Sequence, residues 1–302
     1  MKEIYNDKHN DNEIDFQELF HVLFKKKWTI VSLTTFVSII GIIYSLLLPN
    51  IYQSKALLVT VNSSSNFSNS GSSSNGLAAL AGINLPSGAE KSNSDKALQK
   101  LNTLSFFKDS IMPNIFLPDL MAFKSWDYQT NSLLYDESIY DKNKNTWSRL
   151  PTAQQSFGVF LSQHLSVDSE NGFITIAIKH QSPLVAKQWT EVIIDEINAF
   201  YRKKDKSESE KAIIFLNKQI AMTGLSEIKQ VIAELLQEET QKLTLIEASQ
   251  SYVFDYIDPP AVMEYRSEPN RTLIAIISVF LGIIFSILLI LIKHFNQRKN
   301  SS

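Results

Sequence analysis

The sequence predicts an α+β domain, a small membrane-proximal sheet with long extended helices, held between two transmembrane helices. Three observations carry this. Residues 28–48 and 272–292 are apolar runs without a charge, and a helix of about 20 such residues crosses the hydrocarbon core of a bilayer. Between them, segments of period-two alternation flank an asparagine–glycine pair, the pattern of a hairpin. Residues 183–250 then carry a long helical pattern interrupted by a single glycine, Gly224.

Charge and composition narrow the function. Lys+Arg is 29 and Asp+Glu is 31, a net charge of −2, which excludes a wholly basic nucleic-acid binder and an acidic solvating tail. At 44% apolar residues the chain can build a core. Its lack of cysteine removes disulfides, thiolate metal sites and cysteine nucleophiles together.

The first apolar run reads as an uncleaved anchor. It exceeds the roughly 7–15 residues of a signal-peptide core, and Leu48-Pro49-Asn50 follows where a small-x-small cleavage site would stand. Lys25, Lys26 and Lys27 precede it, and Lys293, Arg298 and Lys299 follow the second run, although Arg266 and Arg271 stand just before that one. Cations collect on the cytoplasmic side. The expected division is therefore a cytoplasmic segment at 1–27, a span at 28–48, an external domain at 49–271, a span at 272–292 and a cytoplasmic tail at 293–302. Pro49 and Pro269 punctuate the outer boundaries, where proline stops a helix. Ser278, Gly282 and Ser286 recur every fourth residue, and Gly41 and Ser45 repeat the pattern in the first span. Small residues at that spacing let helices approach closely in lipid, either between protomers or between the two spans of one protomer.

Within the domain, residues 51–61 read as a strand. Residues 62–76, nearly all Ser, Asn and Gly, read as a flexible loop. Ser94 is placed to cap a helix that turns Leu98, Leu101 and Leu104 inward and ends at Pro113. Residues 114–150 read as irregular and aromatic, with Trp126, Tyr128, Tyr135, Tyr140 and Trp147 either anchoring a loop or offering a sugar-stacking surface. Asn171-Gly172 closes a hairpin. Ser182 caps the long helix, with Pro183 in its first turn and Ala186, Trp189, Ile193, Ile197 and Phe200 as its apolar stripe. After Gly224, Ile232, Leu236, Leu243 and Ile246 share one side of the continuing helix. About 60 helical residues at 1.5 Å each reach some tens of ångströms. Residues 252–257 form a closing strand in the same sheet as 51–61, and Asp258-Pro259-Pro260 opens a proline-rich exit segment at 258–271.

No catalytic constellation appears. The sequence has no phosphate-binding glycine loop, no G-x-S-x-G elbow and no metal-ligand spacing among His9, His21, His164, His180 and His294. Glu238 and Glu239 read as a solvated helix face. No catalytic residue, metal ligand or cofactor is expected.

The two ends of the chain carry a resemblance. EIDFQELFHVLFKKKWTIVSLTTFVSIIGIIYSLLLPNIYQSKALLVT and YIDPPAVMEYRSEPNRTLIAIISVFLGIIFSILLILI resemble the Wzz-type chain length determinants, or polysaccharide co-polymerases. The GLAALAG island at 76–82, LPDLMAFKSWD and AELLQEETQKLTLIEA are similar to that family as well. The individual motifs are degenerate, while their order and spacing are specific. A Walker motif and tyrosine-rich tail, which the kinase-bearing branch needs, are not in this sequence, so the resemblance is to the short form.

The resemblance implies an inner-membrane protein with a periplasmic domain. It would set the chain length of a surface polysaccharide, typically lipopolysaccharide O-antigen, without chemistry of its own. It also implies a ring-like homo-oligomer in the lipid bilayer, working beside a Wzy-type polymerase. Length control would come from binding the growing glycan, from scaffolding the polymerase, or from both. A co-polymerase for capsule or exopolysaccharide export is the alternative. A two-span extracytoplasmic sensor would need a signalling module after the second span, where only a short basic tail stands. Pro259, Pro260 and Pro269 are the expected coupling between domain and span, and Ser278, Gly282 and Ser286 the expected helix-packing face.

Overall fold

The computed structural model describes residues 22–61 and 93–299. The leader at 1–21, the Ser/Asn/Gly loop, the GLAALAG island and residues 300–302 lie outside the described residues. The chain divides into two units, Met1–Asn50 with Ser267–Ser302, and Ile51–Arg266.

The first unit is a pair of apolar helices, α1 (Lys27–Leu47) and the C-terminal helix (Arg271–Lys299). Leu48 turns extended at the end of α1, as the residue before a proline is driven to do. At the start of the C-terminal helix, Asn270 Oδ1 accepts the Leu273 N–H at 3.2 Å, satisfying a donor that the first turn leaves free. Ile39, Ile43, Leu46, Phe280, Phe285 and Ile292 all point outward. Both helices are long and apolar enough to cross a membrane, and they fit a membrane protein with two spans.

The second unit is built on a four-stranded antiparallel sheet of β1 (Tyr52–Thr60), β6 (Leu165–Glu170), β7 (Phe173–His180) and β8 (Phe254–Asp258), in the order β6-β7-β1-β8. Four short strands, β2 (Phe123–Asp127), β3 (Ser132–Tyr135), β4 (Tyr140–Asp141) and β5 (Thr146–Trp147), form two hairpins between β1 and β6 in chain order. Asn171 and Gly172 take φ of 54° and 83° between β6 and β7, the left-handed pair that a two-residue turn requires. The register Tyr52↔His180 to Val59↔Phe173 puts Ser54, Ala56 and Leu58 on one buried face.

That face receives the first half of a long helix, Pro183–Met222. Trp189, Ile193, Ile194 and Ile197 pack on Leu58, Ile176 and Ile178 in one core, each aliphatic side chain contributing roughly 1.5–3 kcal/mol by leaving water. The rest of the helix runs on beside the returning helix, Ser226–Ala248. Of the four residues expected on the returning helix's inner side, Ile232 and Ile246 are buried, while Leu236 and Leu243 are half-buried. Between the helices Thr223 and Leu225 are extended, and a side chain at Gly224 would meet nothing within 4 Å.

Three local expectations change. The helix expected to continue from Ser94 to Pro113 is Asn93–Leu101. Thr103 is extended and its hydroxyl caps Phe106 N–H at 3.3 Å, so a new helical turn starts there and Leu104 is 38% exposed rather than inward. Residues 114–150 are ordered, as a helical turn (Leu117–Met121) and two hairpins, β2–β3 (Phe123–Asp127 and Ser132–Tyr135) and β4–β5 (Tyr140–Asp141 and Thr146–Trp147). Asn131 and Asn145 hold positive φ in their turns, a conformation asparagine tolerates. The closing strand starts late, because Tyr252, Val253 and Phe254 are all buried instead of alternating. Asn198 of the long helix explains this. Its Oδ1 accepts from Val253 N at 2.8 Å and Phe254 N at 2.9 Å, and its Nδ2 donates to Phe254 O at 3.0 Å.

Candidate functional site

The small-residue face of the second span meets the first span of the same chain. Ser286 is fully buried, with its Oγ 3.4 Å from Thr34 Oγ1. A Cβ added to Gly282 would stand 3.2 Å from the Cα and carbonyl oxygen of Thr34, and one added to Gly41 would collide with Ser278 Oγ. The hydroxyls bond back to their own helices, Ser278 to Ile274 O at 2.7 Å, Ser286 to Ile283 O at 2.8 Å and Ser38 to Thr34 O at 2.8 Å. What each serine presents across the interface is therefore mainly its small volume. Ser45, also buried, has no hydrogen-bond partner for its hydroxyl among the described residues.

The three prolines do not form one cluster. Pro259 and Pro260 follow β8 in the domain, Pro259 exposed and Pro260 buried, while Pro269 is half-buried in the span unit. The domain part of the exit is tied back by Ser54, whose Oγ donates to Ala261 O at 2.9 Å. In the span unit, Arg271 Nη2 donates to Asn50 Oδ1 at 3.2 Å.

A third constellation was invisible in the sequence. His180 ends β7 and is 3% exposed. Its Nδ1 accepts the Ser182 N–H at 2.9 Å, which leaves Nε2 to donate to Asp119 O at 3.2 Å. His164 stacks on it at 5.7 Å between ring centroids and donates from Nδ1 to Lys179 O at 2.7 Å. Trp189 and Phe123 close the cluster. Burial pushes both imidazoles below their ordinary range, His180 to about 4 with the charge of His164 as a further cause. Burial also raises the Asp119 carboxyl, against the hydrogen bond it accepts from Tyr135 Oη at 2.6 Å. The only sequence cue is His180-Gln181-Ser182-Pro183 at a helix start. The pair joins the end of β7, the cap of the long helix and the 117–121 turn.

The expected aromatic cluster is largely self-packed. Phe116, Tyr135, Tyr140 and Trp147 contact one another at 5.0–6.2 Å. A shallow groove of about 350 Å³ beside them is lined by Met121, Ile139, Arg149, Leu150, Pro151 and Gln155. Among the described residues no three His, Asp or Glu side chains converge as a metal set.

Residues 12–103, which include the first span and β1, match the family described as Wzz, chain length determinant protein. Over that stretch, which is less than half of the chain, the sequence is similar to the Wzz chain length determinant family. A comparison with curated proteins finds no match. Among solved structures, this chain is similar to a full-length bacterial polysaccharide co-polymerase at 12% identity and a TM-score of 0.42, over 95% of this chain and 100% of that one. It is also similar to a fragment of WzzB, a polysaccharide co-polymerase from Salmonella Typhimurium, at 13% identity and a TM-score of 0.29, over 72% of this chain and 100% of the fragment.

Proposed function

We propose that this protein regulates the chain length of a surface polysaccharide, lipopolysaccharide O-antigen, as a ring-like homo-oligomeric scaffold beside a Wzy-type polymerase, and that it catalyses no step itself. The match of residues 12–103 to the chain length determinant family is the observation that carries this reading. The lysine triplet at 25–27 and the basic tail support cytoplasmic termini in the inner membrane, with residues 49–271 in the periplasm. On this reading Pro259, Pro260 and Pro269 couple the domain to the second span, and Ser278, Gly282 and Ser286 hold the spans together. A wall of long helices around a growing glycan can act by scaffolding the polymerase, by touching the glycan, or by both.

Deleting the gene tests the reading. Polymerisation should continue while the preferred chain length is lost, seen as a flattened ladder on a gel of the surface polysaccharide. Loss of all polymer would replace regulation with export or catalysis.

A further inference from the structure

The β2–β3 hairpin carries a run of rings that leads from β1 to solvent. Tyr52 and Trp126 meet edge to face at 5.5 Å, and Trp126 meets Tyr128 at 5.7 Å. Tyr128, in the turn, is 78% exposed. The turn that holds it out is closed by its own hydrogen bonds. Asp127 accepts from Gln129 N at 2.9 Å and from Thr130 Oγ1 at 2.7 Å, and the Trp126 indole donates to Asn131 Oδ1 at 2.9 Å. A turn whose donors and acceptors are paired internally loses less on entering a less polar medium than an open one.

Chain connectivity decides what this ring can meet. α1 ends at Leu47 and β1 begins at Tyr52, and five residues of chain reach at most about 17 Å. On the exit side Tyr265 is 85% exposed, and the second apolar helix starts at Arg271. The Ser54–Ala261 hydrogen bond holds that exit beside the start of β1. Both connections to the apolar helices therefore leave the domain at the edge where Tyr52 pairs with His180, and the hairpin's rings lie at that same edge. Tyrosine and tryptophan, with an apolar body and one polar tip, are the side chains that settle at the headgroup level of a bilayer. Lys124, exposed on β2, adds a cation suited to lipid phosphate, and both oxygens of Asp127 are engaged within the turn.

We propose that the β2–β3 hairpin is a peripheral bilayer contact, in which Tyr128, backed by Trp126 and Tyr52, sits at the headgroup level of the membrane that the two apolar helices enter. The proposal rests on those helices being spans, and the test separates the two ideas.

The chain has no cysteine, so single cysteines can be placed in the full-length protein and labelled with a small polar fluorophore. Three sites suffice: Tyr128→Cys, Ile40→Cys on the outward face of α1, and Met222→Cys at the far end of the long helix. Each is reconstituted in nanodiscs of phosphatidylcholine with and without doxyl spin labels, placed near the headgroup to probe positions 128 and 222 and at mid-chain to probe position 40, which lies near the middle of its helix. The expected result is strong quenching at 40 and 128 and little at 222. Quenching at 40 with position 128 no better quenched than 222 overturns the hairpin contact and leaves the spans intact. That outcome would direct attention to a second copy or a glycan as the partner of Tyr128. No quenching at 40 removes the spans, and the proposal with them.

Discussion

Gly282 lies against Thr34, with 3.2 Å separating an added Cβ from the Thr34 carbonyl oxygen. No rotamer can relieve the contacts with the Thr34 Cα and carbonyl oxygen, because both are backbone atoms, and the Thr34 Cγ2 methyl stands nearly as close, at 3.3 Å. The two spans of one chain thus use the stripe that the sequence offered either for pairing spans or for joining protomers.

Gly282→Leu is therefore expected to destabilise the span pair by about 1–3 kcal/mol, the usual range for an overpacked contact. Gly224→Ala, with open space around it and no positive φ, should change stability by no more than about 0.5 kcal/mol. Thermal unfolding of the full chain in mild detergent compares them. An unchanged transition for Gly282→Leu together with a lost oligomer would assign the stripe to contacts between protomers.

His180 makes the domain sensitive to acid. Its folded pKa, about 4, lies below the ordinary value of 6.5, so between those values the unfolded chain binds more protons than the folded one. Stability then rises with pH across this window and is lost as pH falls from about 6.5 towards 4. The gap corresponds to about 3 kcal/mol. His164 acts in the same direction, while Asp119, whose folded pKa is raised, acts in the opposite one. His180→Gln isolates the histidine, since a glutamine can accept from Ser182 N–H and donate to Asp119 O without titrating. The melting temperature of the natural chain should fall more steeply between pH 7 and pH 4.5 than that of His180→Gln. Parallel curves would remove His180 as the cause.

Period and punctuation made much of the fold legible. The uncharged runs, Asn171-Gly172 and Ser182-Pro183 each impose a local geometry that tertiary packing has no reason to override, while Gly224 marks the break between the long helices without any conformation that demands glycine. What escaped depends on contacts distant in sequence. Asn198 reads as a polar residue on a helix, and only the approach of residues 253 and 254 makes it a clamp. His164 and His180 looked scattered because the β6–β7 hairpin, not the sequence spacing, stacks them. The rings of 114–150 are closely spaced in the sequence, yet their mutual packing depends on two short hairpins whose strands carry little periodic signal.

The exit segment provides the test that links structure to chain length. Pro259 and Pro260 restrict the backbone just after β8, and Ser54 ties Ala261 back to β1; on the proposed function this stretch is the coupling between the sheet and the second span. Replacing Pro259, Pro260 and Pro269 with Ala enlarges the conformational freedom of that stretch, at about 0.4–1 kcal/mol per site, while the core around Trp189 and Ile193 stays intact. Ser54→Ala loosens the same stretch from the other side by removing the donor to Ala261 O. Both variants are expected to reach normal protein levels and to shift or flatten the length distribution of the surface polysaccharide, read from a ladder gel. A shift with the proline triple and none with Ser54→Ala would place the coupling in backbone stiffness alone. An unaltered ladder in both would make the segment a spacer and move length control to the helices and sheet of residues 51–258.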